Sequence, residues 1–380
     1  MQHVFRCFGE ISKQVFSGML LAAACSFSGV ANAGIVPPLP PPPPPPALKT
    51  CPDGARIAVA ATCRLIPFVG QAGATEATLT GAIVTLGTTV GDMISGAFGG
   101  ATGTAATGIN RTALSGQSGQ AAAPGGLKWN VWGALARVNA GYSFQPVQSG
   151  GNADLLLGGI DYSLANNVVL GVALSGERTR IGTSYNGGNV SGNGNTIAPY
   201  LGWRINNAWL LDATLGFGNT NLTSTDNSIP GGTNGSNKAT RSMGTLGLAY
   251  NQGMGNWLLT GKGSLLTVEN KYSAFTFSNG QFVPGSTTRT SQMRLGGQAA
   301  YNAGAVVPFF GVTYIYDIER ANQNPIAGQS AANDRDAFQL RVGLNFRSSG
   351  ALYGGIVLSS EAGRSQFKND QILVNVGMRF

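Results

Sequence analysis

Charged side chains are scarce in this 380-residue chain: Lys and Arg number 24, Asp and Glu 16, together 11%, against about 25% in an ordinary soluble chain. The net charge of +8 is spread thinly, with no basic run, so the sequence carries no electrostatic footprint for nucleic acid. Histidine is scarcer still. The one imidazole is His3, inside a segment expected to be cleaved off. Its loss would exclude Ser-His-Asp and Cys-His catalysis, histidine metal sites and histidine general bases together. No enzyme activity and no cofactor are expected. Long apolar runs are also few, and a mean hydropathy of +0.06 is too low for a chain with several membrane helices.

What is abundant is glycine, 57 of 380 residues, roughly twice the ordinary usage of about 7%. Asn, Ser and Thr accompany it. Such a composition suits many short strands joined by turns.

Residues 1–33 have the form of an export signal. Arg6 and Lys13 precede the apolar stretch "VFSGMLLAAACSFSGVA", and Ala31, Asn32 and Ala33 offer small side chains for cleavage before Gly34. Removal leaves Cys51 and Cys63. In an oxidising compartment two cysteines this close are expected to form one small structural disulfide. The tract "VPPLPPPPPPPA" at 36–47 reads as an extended polyproline spacer, so 34–74 is a spacer with a small disulfide loop. In 75–98, Leu79, Ile83, Leu86, Val90, Met93 with Ile94, and Ala97 recur at helical spacing. Glycines 81, 87, 91 and 96 give that helix a small face suited to a narrow passage or a close neighbour. A Gly-rich linker then runs to 126.

From 127 to 380 the texture is uniform. Twelve strands are predicted, near 128–144, 155–164, 168–180, 194–205, 208–223, 239–252, 256–273, 288–302, 305–318, 336–347, 351–362 and 370–380. Short connections alternate with long ones, the long ones at 145–154, 181–193, 224–238, 274–287, 319–335 and 363–369. An even strand count with alternating short turns and long loops is the pattern of an outer-membrane β-barrel.

Period-two patterning gives each strand two faces. Leu156, Ile160, Val172, Leu174, Leu215, Phe217, Leu340 and Leu344 fall on one. The other is expected to carry lumen-facing charges: Arg137, Asp161, Glu177, Arg204, Asp212, Arg241, Lys262, Arg294, Asp317, Arg341, Glu361 and Arg379. A wet lumen permits both signs, whereas lipid does not. Strand 256–273 follows the pattern least well. Tyr162, Trp203, Trp209, Tyr250, Trp257, Tyr301, Phe346 and Phe380 gather near the short turns like an interfacial aromatic belt. The stretch "QILVNVGMRF" carries Ile372, Val374, Val376, Met378 and Phe380 at every second position. These read as the lipid face of a closing strand and as an assembly signal.

Three stretches resemble the autotransporter β-domain, the type V secretion translocator: "WNVWGALARVNAGYS", "GGNADLLLGGIDYSLANNVVLGVALSGERTRIG" and "LVNVGMRF". The resemblance implies a twelve-stranded antiparallel transmembrane barrel in the bacterial outer membrane, a helix threaded through its lumen, and export of the N-terminal part to the cell surface. The expected partners are outer-membrane lipid, the barrel-assembly machinery and periplasmic chaperones, with the barrel monomeric. The family's usual passenger is longer than 34–125, and no self-cleavage is expected at Asn110. Two functions follow from different classes: a translocator displaying a short, adhesive segment, and a passive pore or structural barrel with a periplasmic arm.

Overall fold

A strand that alternates apolar and small or polar residues must bury one face and offer the other to a different medium. Twelve such strands here find one arrangement that leaves no edge. The computed structural model describes residues 49–50, 56–57, 81–82, 84–94, 128–143, 148–165, 167–184, 186–228, 230–320, 334–347 and 352–380. The chain divides into two units, Met1–Ala58 and Val59–Phe380. In the first, β1 (Lys49–Thr50) and β2 (Arg56–Ile57) pair antiparallel, Lys49 opposite Ile57. The expected signal segment, the polyproline tract, Cys51, Cys63 and Asn110 lie outside the described residues.

The second unit holds a helix described at 81–82 and 84–94, within the predicted 75–98. Its strands are β3 (Trp129–Tyr142), β4 (Ser149–Ala165), β5 (Val168–Thr183), β6 (Gly188–Arg204), β7 (Trp209–Asp226), β8 (Thr233–Met254) and β9 (Trp257–Tyr272). A small hairpin, β10 (Phe275–Thr276) with β11 (Phe282–Val283), follows. Then come β12 (Ser286–Tyr301), β13 (Val306–Glu319), β14 (Asp336–Arg347), β15 (Leu352–Ala362) and β16 (Phe367–Arg379). All but β1, β2, β10 and β11 form one closed antiparallel barrel.

The seam joins β16 to β3, from Phe367 opposite Tyr142 to Arg379 opposite Asn130. Trp129 and Phe380 exchange backbone hydrogen bonds of 3.1 and 3.0 Å. Closure satisfies the ladder groups that would otherwise be stranded in hydrocarbon. The seam places Ile372, Val374, Val376, Met378 and Phe380 outward and exposed, while Leu373 between them is buried.

The loops correct one expectation. Residues 181–193 do not form a long connection: β5 continues to Thr183 and β6 starts at Gly188. The Asn186-Gly187 turn is tight, with Gly187 at φ 59°, the left-handed region glycine enters without penalty. The Gly188 amide donates to Asn186 Oδ1 at 3.0 Å. Three more of the expected long loops also shrink, 145–154 to 143–148, 224–238 to 227–232 and 363–369 to 363–366. The upper parts of β5–β8 stay paired because their inward Ile181, Val190, Leu222 and Ala239 form a second apolar cluster. Strands of this length exceed the 9–11 residues that cross a bilayer, so they extend beyond it.

The outward faces carry the exposed apolar side chains, among them Leu156, Leu174, Leu215, Leu265, Phe310, Leu340 and Val374. Near the short turns, Trp129–Tyr162, Trp209–Tyr250 and Trp257–Tyr301 are cross-strand pairs with ring centroids 4.8, 5.0 and 5.0 Å apart. Amphipathic rings of this kind suit the boundary between hydrocarbon and water.

Candidate functional site: the occupied barrel lumen

The helix sequence explains its place. From Gly81 to Ile94 every described residue is buried except Thr88 and Asp92, and a helix that is apolar or small all round belongs inside a protein. Thr85 Oγ1 donates to the Gly81 carbonyl and Thr88 Oγ1 to the Val84 carbonyl, both at 2.8 Å, so these hydroxyls need nothing from the wall. Leu86, Val90, Met93 and Ile94 join inward Ala136, Val138, Leu155, Leu157, Leu266, Val357 and Leu373 in one apolar core. The lumen is therefore partly dry, which the alternation rule alone did not anticipate. The signal was present as strands apolar on both faces, such as Leu155-Leu156-Leu157 and Ile372-Leu373-Val374.

The helix has a direction. A carbon added at Gly81 would lie 3.1 Å from Val138 and 3.8 Å from Asn369, near the ends of β3 and β16 that meet the longer loops. Gly91 instead approaches Lys262 Nζ and Asp212, near the strand starts that follow the short turns. Asp92 Oδ2 accepts from Arg341 Nη2 at 2.7 Å. Arg341 and Lys262 thus place cations beside the C-terminal half of the helix, where the macrodipole favours them. A cavity of about 170 Å³ lies here, bounded by Thr88 and Asp92 of the helix and by Arg204, Asp212, Lys262 and Arg341 of the wall.

Of the twelve charges expected to face the lumen, eleven point inward. Asp212 pairs with Lys262 at 2.9 Å. Glu177 pairs with Arg241 at 2.9 Å, their side chains 3% and 2% accessible, and each has a further partner in Thr220 and Asn270. Asp317 binds Arg364 at 2.9 Å, Arg364 binds Glu361 at 3.1 Å, and Arg294 donates to Gln339 at 2.7 Å. This last group surrounds the Gly81 end of the helix. Arg204 lines the cavity at the other end. Arg379 lies 5.8 Å over the Tyr353 ring.

Arg137 is the exception. It shares the outward parity of Val131 and Leu135, is exposed, and meets Asp154 across the outer wall at 3.6 Å. It stands two residues beyond exposed Leu135 toward the loops, and an outward charge above a lipid-facing band is free to be solvated.

One constellation was not foreseen. Asp161 Oδ2 accepts from Asn130 Nδ2 and from the Tyr200 hydroxyl, each at 2.9 Å. Trp132 Nε1 donates to that hydroxyl at 3.0 Å, and Tyr353 donates to Asn130 Oδ1 at 2.7 Å. The three rings lie over glycines directly opposite on neighbouring strands: Trp132 over Gly159, Tyr200 over Gly171, Tyr353 over Gly377. A side-chain carbon on these glycines would come within 2.4, 2.2 and 2.2 Å of the rings. The network spans β3, β4, β6 and β15, and so ties the two sides of the seam.

A family model described as the autotransporter β-domain matches residues 145–356. No curated protein matches. Among solved structures, the translocator domain of the autotransporter NalP from Neisseria meningitidis aligns with a TM-score of 0.58 at 16% identity, covering 67% of this chain and 89% of that one. The β-domain of the Bordetella autotransporter BrkA gives 0.57 at 13%, covering 67% and 100%. The transport unit of AIDA-I from Escherichia coli gives 0.52 at 12%, covering 66% and 90%.

Proposed function

The chain belongs to the autotransporter β-domain family, and from that premise we propose that the barrel carries its own N-terminal segment to the cell surface and keeps the helix as its plug. The family places the barrel in the outer membrane. The direction of the helix carries the reading. Gly81 lies at the loop-rich end of the lumen and Asp92 at the short-turn end, and short turns face the periplasm in such barrels. A chain that descends this helix from the outside reaches the periplasmic side, where β3 begins. Residues 34–80 are then displayed, with adhesion as their role and no catalysis. The barrel works as a monomer, delivered by periplasmic chaperones and inserted by the assembly machinery. That machinery reads Ile372, Val374, Val376, Met378 and Phe380 as an exposed apolar edge.

A peptide tag after residue 50, labelled with a membrane-impermeant reagent on intact cells, tests the display. Labelling without lysis is the expected outcome. Labelling that requires permeabilised cells would refute display and favour a barrel with a periplasmic arm. Binding of cells to a host surface, with and without residues 34–74, tests the adhesive role.

A further inference from the structure

We propose that the outer wall of β3–β6, immediately above the lipid-facing band, binds the phosphorylated saccharolipid of the outer leaflet. The inference rests on the outer-membrane location of the family and is independent of what the N-terminal segment does. Its starting point is the misplaced Arg137. Leu135, Leu156 and Leu174 are 61%, 63% and 59% exposed and mark the upper lipid-facing wall. Toward the long loops the next outward residues after Leu135 and Leu156 are Arg137 on β3 and Asp154 on β4, and Arg178 on β5 follows Leu174 after Gly176, in register across the sheet. Arg180 follows two residues above Arg178. The guanidinium groups of Arg137 and Arg180 therefore flank the Asp154 carboxylate, and Arg178 stands directly opposite it in the ladder.

The carboxylate does not saturate them. Asp154 lies 3.6 Å from Arg137 and 3.7 Å from Arg180, with the arginine side chains 51% accessible and the aspartate 42%. Both separations exceed a good charged hydrogen bond. The other outer-face ionic group behaves differently. Glu269 is held by Lys271 at 3.1 Å and by Arg289, and Glu319 lies on the neighbouring strand, so two cations meet two anions. The β3–β5 cluster instead sets three cations against the one carboxylate of Asp154. Guanidinium groups match phosphate bidentately, and their alkyl stems can lie along the leucines below.

The neighbouring strand supplies the second half of the match. Asn193 stands opposite Arg178 and Ser191 opposite Arg180, and opposite these, on β7, stand Asn221 and Thr223. All four are exposed on the same outward face. Amide and hydroxyl groups in a flat array suit sugar hydroxyls, beside cations that suit the phosphates. A lipid with acyl chains, a phosphorylated sugar and further saccharide would meet leucine, arginine and then Asn/Ser/Thr in that order up the wall.

The test uses the full chain folded in zwitterionic micelles, with native mass spectrometry counting bound glycolipid. The probes are bis-phosphorylated lipid A and its enzymatically dephosphorylated form. The wild type is expected to prefer the phosphorylated lipid by at least tenfold, and R137Q/R178Q/R180Q to lose that preference while R289Q keeps it. Heat-shifted migration on gels checks that each variant is folded. If the triple variant fails to fold, D154N carries the decision: removing the competing carboxylate should strengthen binding several-fold, whereas a merely structural ion pair predicts no gain. Equal binding of both lipids by the wild type, an undiminished preference in a folded triple variant, or no gain in D154N overturns the proposal.

Discussion

Replacing Arg241 by methionine would leave Glu177 as a carboxylate in a place almost closed to water. The pair crosses the inner wall from β8 to β5, over β6 and β7, with side chains 2% and 3% accessible. Arg241 Nη1 donates to Glu177 at 2.9 Å and Arg241 Nε to Asn270 at 2.9 Å, while Thr220 donates to the other Glu177 oxygen at 2.9 Å. Removing one partner of a buried pair costs about 3–5 kcal/mol, because the remaining charge keeps its desolvation penalty without its cation. That is about two to three and a half powers of ten in the folding equilibrium, at 1.4 kcal/mol per tenfold. Replacing both partners by apolar residues of similar volume is often neutral or stabilising, so E177L/R241M should return to within about 1 kcal/mol of wild type. Reversible urea unfolding of the barrel in lipid vesicles, followed by tryptophan fluorescence, measures both. A single variant no less stable than the double would show that the pair is solvated and that the lumen at this level is wet.

Three further outcomes follow from other parts of the molecule. A variant lacking 76–120 should conduct ions better in planar bilayers than the full chain, because the described helix occupies the lumen; equal single-channel conductance would refute the plug. Gly171→Val should displace the Tyr200 ring, which a Cβ would approach to 2.2 Å, leaving buried Asp161 short of a donor at a cost of about 1–3 kcal/mol, read as a lower urea midpoint. In the loops, hydrogen bonds from the Ser365 hydroxyl and amide hold the Asp334 carboxyl below its usual range. A depressed pKa means that the tie between the two loops is complete above the ordinary carboxylate value and is lost as pH falls through the lower folded one. Carboxyl chemical shifts across an acid titration should show this, with Ser365→Ala moving Asp334 back up.

The barrel was legible because lipid imposes a strict demand: strand after strand must turn an apolar face outward, and Leu170, Val172 and Leu174 do so at period two. Where the outside is no longer lipid, the demand lapses and the reading slips. Residues 188–193, "GNVSGN", look like loop but belong to β6, because above the bilayer their outward positions need only be polar. Arg137 slipped for the same reason, helped by a strand whose faces are nearly alike: Trp129, Val131, Gly133 and Leu135 against Trp132, Ala134, Ala136 and Val138. Strand 257–272 reads poorly because inward Leu258, Leu266 and Val268 are apolar too. Leu266 lies 3.7 Å from where a side chain on Gly87 of the helix would begin. The aromatic network around Asp161 depends on which glycine stands opposite which ring. That is a property of register, and local pattern does not reveal it.

Register also accounts for part of the glycine content. A helix with its side chains needs about 10–12 Å of clear width, which the inward side chains of the wall must leave open. Here the large inward side chains lie flat against the wall, each over a small neighbour: Tyr200 over Gly171, Phe309 over Gly343, Asp212 over Gly247, Thr313 over Gly296. A Cβ at any of these glycines would come within 2.6 Å of the side chain covering it and would tip that side chain toward the axis. The helix answers from its own side with Gly87 and Gly91, where a Cβ would come within 2.9 Å of Thr245 and of Lys262. Glycine lowers intrinsic helix and strand propensity, by up to about 1 kcal/mol per residue in a helix. The chain tolerates that loss because these glycines make the wall thin and the helix narrow. The fit is what turns an aqueous lumen into a sleeve, and it ties the helix to this barrel more specifically than the Asp92–Arg341 contact does, since a partly exposed ion pair contributes only about 0.2–1 kcal/mol.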